Sequence, residues 1–250
     1  MERKLDIEPH NVSGGPTGIE HQPQPYRAFL RLAVLFLAML MPWLYVSYGL
    51  LILKDYRLTI LMYELLSCGL MVLLSRPKLR IFPLKMPISR IFFAVLLVNV
   101  LILGTFKATN GFNMDWPMFY ERGQATRLLI NGDFWIFAAF IVILNPIFEE
   151  SFWRGTVYRE WRKIIGVWPA ILVSSFFFGA WHWMVLQTYC QPLWALFLTF
   201  LVMVGGVLFA YSYEKTGTLG APILLHGLGA DFPMVFVVYD CILASSHLLK

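Results

Sequence analysis

The chain has 250 residues, of which 58% are apolar and 14% charged, against about 45–50% and about 25% in an average soluble domain. Gathered into one soluble core, this much apolar sequence would leave too little polar surface to cover it, so the mean hydropathy of +0.65 points to lipid as the solvent and excludes a disordered chain. The net charge of +5 excludes a nucleic-acid partner, because the Lys and Arg residues sit in short clusters between apolar runs and form no basic stripe.

Residues 1–27 are polar, of mixed charge and end in Gln22-Pro23-Gln24-Pro25; they read as a disordered tail without the apolar core of a cleaved signal. Apolar runs long enough to span follow at 28–53, 57–74, 89–106, 134–153, 167–188, 192–213 and 219–245. The expected fold is an all-α polytopic membrane protein of seven transmembrane helices. It becomes eight if the last run, interrupted by Pro233, is two short segments. The expected units are the tail 1–27, N-terminal helices and a loop over 28–133, and a membrane core over 134–246.

Arg76, Lys78, Arg80, Lys85 and Arg90 follow the second run, and Arg154, Arg159, Arg162 and Lys163 follow the fourth. Both clusters fall on one side, which the positive-inside rule assigns to the cytoplasm together with the N-terminus. The segment 107–133 faces the other side, and its Trp116, Phe119 and Tyr120 suggest an interfacial stretch. A short chain without a targeting segment favours a bacterial inner membrane. Cys68, Cys190 and Cys241 show no metal-ligand spacing and read as buried or lipid-facing thiols. No internal repeat of the transporter kind is visible.

A charged group at bilayer depth is costly unless paired or hydrated, so the ionisable residues within the runs are functional candidates. They are Glu64, Glu149, Glu150, His182, His226, Asp231 and Asp240. Glu150 and Arg154 stand at i and i+4 with the acid first, the favoured order for an ion pair. Glu149, about 100° round the helix, is then the freer carboxylate and a candidate general base. Taken singly, the glutamates read first as a helix end at interfacial water, and His182 and His226 as packed core histidines. Together on three runs, the cheapest partners of Glu149, His182 and His226 are one another. Rises of about 1.5 Å per residue from the expected boundaries put Glu149 at about 6 Å, His226 at about 10 Å and His182 at about 22 Å. Convergence therefore requires the fifth helix to begin outside the hydrocarbon, or the fourth to be displaced.

Glu149-Glu150-Ser151-Phe152-Trp153-Arg154 resembles the EExxxR motif, and Phe178-Gly179-Ala180-Trp181-His182 the FxxxH motif, of the CPBP family of CAAX proteases and bacteriocin-processing enzymes. Gly155, and the stretch from Gly205-Gly206 through Tyr213 and Pro222 to His226, resemble the rest of that pattern. The resemblance covers roughly 134–236. It implies a helical intramembrane endopeptidase in which Glu149 activates water, His182 and His226 orient it or stabilise the oxyanion, Glu150 and Arg154 form a supporting pair and Phe178 positions the His182 ring. A variant places a divalent metal such as zinc among Glu149, His182 and His226. Ala230 stands where the family has Asn or Asp; a bulge near Gly227 or Gly229 would turn Asp231 inward, or Asn145 would supply the amide. The implied partners are the lipid bilayer and a peptide or protein substrate, such as a prenylated CAAX tail, a leader peptide or a sorting signal. A catalytically weak scaffold or immunity-type protein is the alternative, and a transporter or channel a third reading.

Overall fold

The computed structural model describes residues 25–75, 79–109, 115–128 and 134–247. Residues 1–24, with most of the expected tail, and Arg76 and Lys78 lie outside them. Among the described residues all regular structure is helical, and seven helical stretches are long and apolar enough to cross a membrane: Leu32–Leu53, Tyr56–Leu74, Ile88–Ala108, Phe134–Ile165, Val167–Tyr189, Pro192–Thr216 and Gly220–Ala244. The chain is an integral membrane protein with seven candidate spans among the described residues.

Helix α1 (Pro25–Ser47) runs into a π-helical turn, Tyr48–Leu53. The last three residues assigned to the tail are thus helical, with Pro25 at the start, where its missing N–H costs nothing. Span two is α2 (Tyr56–Met62), a π turn at Tyr63–Gly69 and α3 (Leu70–Ser75). Asp55 caps it by accepting the Leu58 N–H at 3.0 Å. Span three is α4 (Ile88–Ala108), whose Phe92, Phe93, Leu97 and Val100 are exposed as lipid-facing side chains. The segment expected to be interfacial contains α5 (Trp116–Ala125), capped by Asp115. Its Phe119 is buried, 6.1 Å from the Tyr189 ring.

Span four comprises α6 (Phe134–Ile143), α7 (Asn145–Phe152), a π turn at Trp153–Tyr158 and α8 (Arg159–Ile165). The boundary expected at Trp153 is therefore corrected: the helix continues for twelve residues, and Arg154 lies buried inside it where a loop was expected. Spans five and six, α9 (Val167–Tyr189) and α10 (Pro192–Thr216), form the tightest pair, with α1 packed on α9. At their contact a Cβ on Gly179 would lie 2.9 Å from the Met203 backbone nitrogen. Span seven is α11 (Gly220–Leu224), a π turn at Leu225–Asp231 and α12 (Phe232–His247). It is one helix, because Pro233 follows directly on a turn that already departs from α geometry.

Proline and glycine together seat this last turn. Pro146 has no N–H to give to the Val142 carbonyl, and Gly227 packs against that carbonyl, where a Cβ would come within 2.4 Å. The start of α11 is held from the other side by Leu219 N–H, which donates to Arg80 O at 2.7 Å. All three cysteines are free and buried. Burial pushes the Cys190 thiol, in the turn after α9, up to about 11, so it stays protonated and unreactive at neutral pH.

Gly227→Val forces a side chain into the Val142 carbonyl, and overpacking of this kind costs about 1–3 kcal/mol. The expected result is a lower thermal unfolding midpoint in detergent. An unchanged midpoint would mean that the turn does not depend on this contact.

Candidate active site

The site is built where α7 meets the turns 153–158 and 225–231. Glu149 and Glu150 end the first two turns of α7 and are 1% and 0% exposed. Arg154, one turn on and equally buried, donates from Nη1 to Glu150 Oε1 at 2.8 Å, as the i, i+4 spacing led one to expect. Its Nη2 donates to Gly206 O at 3.0 Å, and its guanidinium lies 4.4 Å from the Phe178 ring centroid and 5.3 Å from that of Phe209. One cation is therefore held by a carboxylate, a carbonyl and two aromatic faces.

His226 completes the cluster. Its Nδ1–H donates to Glu150 Oε1 at 2.9 Å, so Glu150 is shared by Arg154 and His226, a second role that the ion-pair spacing alone does not reveal. Its Nε2 faces Glu149 Oε2 at 3.4 Å and Asp231 Oδ1 at 3.5 Å. The ring stacks on Phe209 (centroids 5.1 Å, planes 19° apart) and meets the Phe178 ring edge-on at 5.7 Å. Neither oxygen of Glu149 has a hydrogen-bond partner among the described residues.

Asp231 reaches this face through the π turn. On an ideal α-helix it would stand about 140° from His226, but i→i+5 geometry returns the fifth residue to nearly the same side. The Asn145 amide then donates to Asp231 Oδ2 at 3.2 Å. The two candidates for the group missing at Ala230 are thus bonded to each other.

No hydrogen bond or ion pair joins His182 to the carboxylates among the described residues. Its Nδ1 bonds to Phe178 O at 2.8 Å, and its ring meets Phe178 at 5.1 Å and Trp181 at 3.8 Å. It approaches the cluster through Phe178, whose ring also touches His226. An Nδ1–H bonded to a carbonyl leaves Nε2 of the neutral imidazole as an acceptor.

The residues that meet at the site lie at unequal distances from their helix ends. Phe209, seven residues before the end of α10, and His226, six residues into span seven, are both about 10 Å from their helix ends. Phe178 is about 16 Å from the start of α9 and contacts both rings. The connection between α8 and α9 therefore projects beyond that between α10 and α11.

Three neighbours of the site were not joined to it by sequence reasoning. Glu64, on the turn 63–69, is fully buried with both oxygens lacking a hydrogen-bond partner among the described residues. It interacts electrostatically with Glu149, His226 and Asp231. Its presence among the intramembrane acids was the available signal. The Tyr63 hydroxyl accepts the Trp153 Nε1–H at 3.0 Å and ties that turn to the one carrying Arg154. Phe209 carried no signal beyond being aromatic. No group of three or more His, Cys, Asp and Glu side chains among the described residues is disposed to hold a metal ion; Glu149 and His226 meet, but His182 turns to a carbonyl.

A buried carboxylate without a hydrogen bond costs stability, and an apolar isostere removes the cost. Glu64→Leu is expected to raise the unfolding midpoint in detergent, by about 1–3 kcal/mol in free energy. A lowered midpoint would show that Glu64 holds the turn 63–69 in place.

Residues 131–230 match the model of a family described as type II CAAX prenyl endopeptidase Rce1-like. No curated protein and no solved structure matches the chain. The matched segment contains Glu149, Glu150, Arg154, Phe178, His182 and His226, and ends one residue before Asp231. Over residues 131–230 the chain is similar to the Rce1-like type II CAAX prenyl endopeptidases, in agreement with the resemblance of its motifs to the CPBP family of intramembrane proteases.

Proposed function

We propose that the protein is an intramembrane endopeptidase in which Glu149 activates a water molecule against a peptide carbonyl. The observation that carries this reading is the asymmetry of the two adjacent glutamates. Glu150 is committed to Arg154 and His226, whereas Glu149 is buried beside His226 Nε2 with neither oxygen hydrogen-bonded among the described residues. Of these two glutamates, Glu149 is the one free to take a proton.

In the proposed reaction Glu149 removes a proton from water, the hydroxide adds to the scissile carbonyl, and the same proton passes to the leaving nitrogen as the C–N bond breaks. The acceptor Nε2 of His182 orients a water hydrogen. The oxyanion is met by the second N–H of the Asn145 amide, whose first is given to Asp231, and by His226 Nε2 when the imidazole carries its second proton. In this reading Asp231 takes the place expected of the residue at Ala230. No metal enters any step.

The substrate is a membrane-associated peptide of the prenylated-tail or leader type. Residues 134–246 form the catalytic core, and 28–133 supply helices that close it. The N-terminus lies in the cytoplasm and the membrane is a bacterial inner membrane; Arg80, Lys85, Arg159, Arg162 and Lys163, gathered on one side in the span order, support that orientation.

With purified protein in liposomes and a membrane-tethered peptide, Glu149→Gln is expected to lower kcat about 10²–10⁴-fold with the unfolding midpoint retained. Asn145→Ala combined with Asp231→Ala is expected to lower it strongly as well. Cleavage undiminished in Glu149→Gln would overturn the reading, and cleavage surviving the double change would remove the amide and Asp231 from it. A membrane proteome compared between wild-type and Glu149→Gln cells identifies the accumulating substrate.

A further inference from the structure

The turn 225–231 contains a carbonyl that its own helix cannot satisfy. The Phe232 N–H donates to Gly227 O, five residues back, and so is lost to Leu228 O, its partner in an α-helix. The next residue, Pro233, has no N–H to offer. Leu228 O is thus an orphan at bilayer depth, where water is not at hand to pair it. The donor comes from span three. Asn99 Nδ2, midway along α4, lies 2.8 Å from Leu228 O and 2.8 Å from Val95 O of its own helix.

The register matters. If 225–231 were α-helical, Pro233 would orphan Gly229 O, and Asn99 stands 3.5 Å from that atom. The amide sits 0.7 Å nearer the carbonyl that only the π turn leaves open. That turn also sets Asp231 against His226 and Asn145; an α turn would present Ala230.

We infer that Asn99 is a positioning residue of the site: by capping Leu228 O from α4 it holds the one-residue bulge that aims Asp231 at His226. This rests on the peptidase reading of the same site, and it extends the site beyond residues 131–230 to a helix that the family match does not reach.

The test pairs Asn99→Leu with deletion of Ala230. The deletion places Asp231 four residues after His226, so an ordinary α turn suffices. It leaves Leu228 four residues before Pro233, still an orphan. A merely structural role predicts the same effect of Asn99→Leu in both backgrounds, on stability and on turnover alike. A positioning role splits them. In the intact turn Asn99→Leu lowers kcat for the tethered peptide about 10²-fold, as expected of a displaced reacting group; in the deletion background it lowers kcat by less than about threefold, with an equal fall in unfolding midpoint in both.

An equal loss of kcat in the two backgrounds would overturn the inference. Should the deletion prevent folding, the same decision comes from Asp231→Ala, in which Asn99→Leu is expected to add no further loss of kcat and a full second loss contradicts the inference. Failure of wild-type protein to cleave any peptide would overturn the peptidase reading instead. Amide hydrogen exchange over 228–232 in liposomes then decides for Asn99 alone: faster exchange in Asn99→Leu is expected, and unchanged exchange contradicts it.

Discussion

Arg154 is a full positive charge buried within a bundle whose outer faces are apolar, and the site is arranged around the need to hold it there. An ion at this depth is tolerated only when paired and hydrogen-bonded, and although the Arg154 Nε has no hydrogen-bond partner among the described residues, both terminal nitrogens do. Glu150 supplies the counter-charge, Gly206 a carbonyl, and Phe178 and Phe209 their ring faces. Glu150 is on α7, Phe178 on α9, and Gly206 and Phe209 both on α10, so holding one guanidinium draws these three helices together. His226 then joins by donating to the same Glu150 oxygen and stacking on the same Phe209. Glu149 is left beside His226 with neither oxygen hydrogen-bonded among the described residues, and its availability follows from the commitment of its neighbour.

The helices reach this arrangement by leaving α geometry at the positions that matter. Three of the four π turns among the described residues contain site groups or their close neighbours: Glu64 in 63–69, Arg154 in 153–158, and His226 with Asp231 in 225–231. A π turn shifts the faces of a helix by one residue and frees backbone groups, so each requires compensation from outside. Asn99 supplies it for the last turn. The Tyr63–Trp153 hydrogen bond ties the first two turns to each other. Replacement of such a compensating group is therefore expected to act on geometry at a distance from the chemistry.

Much of the fold was legible because lipid imposes long apolar helices, and hydropathy reports them with little ambiguity. The Glu150–Arg154 pair was legible for a local reason, since i, i+4 neighbours share a face in any α-helix. Asp231 illustrates what was not legible. Its angle to His226 depends on the turn between them being π, which in turn depends on Pro233 removing a donor and on Asn99 from another helix. Span four was read as ending at Trp153 because the polar residues after it resemble a loop; the helix continues because Arg154 is paired inside the bundle through both terminal nitrogens and α8 projects beyond the neighbouring connection. Glu64 was visible as an intramembrane acid, but its proximity to Glu149 is a property of packing alone.

The claim that Glu149 acts on water, and not on the peptide directly, is tested most directly by a single turnover in H₂¹⁸O. Mass spectrometry of the new C-terminal carboxylate and of the protein fragment containing Glu149 reads both fates of the label. A general-base role predicts one ¹⁸O atom in the product carboxylate and none in Glu149. Label in the Glu149 side chain would indicate a covalent anhydride between enzyme and peptide and would contradict the account.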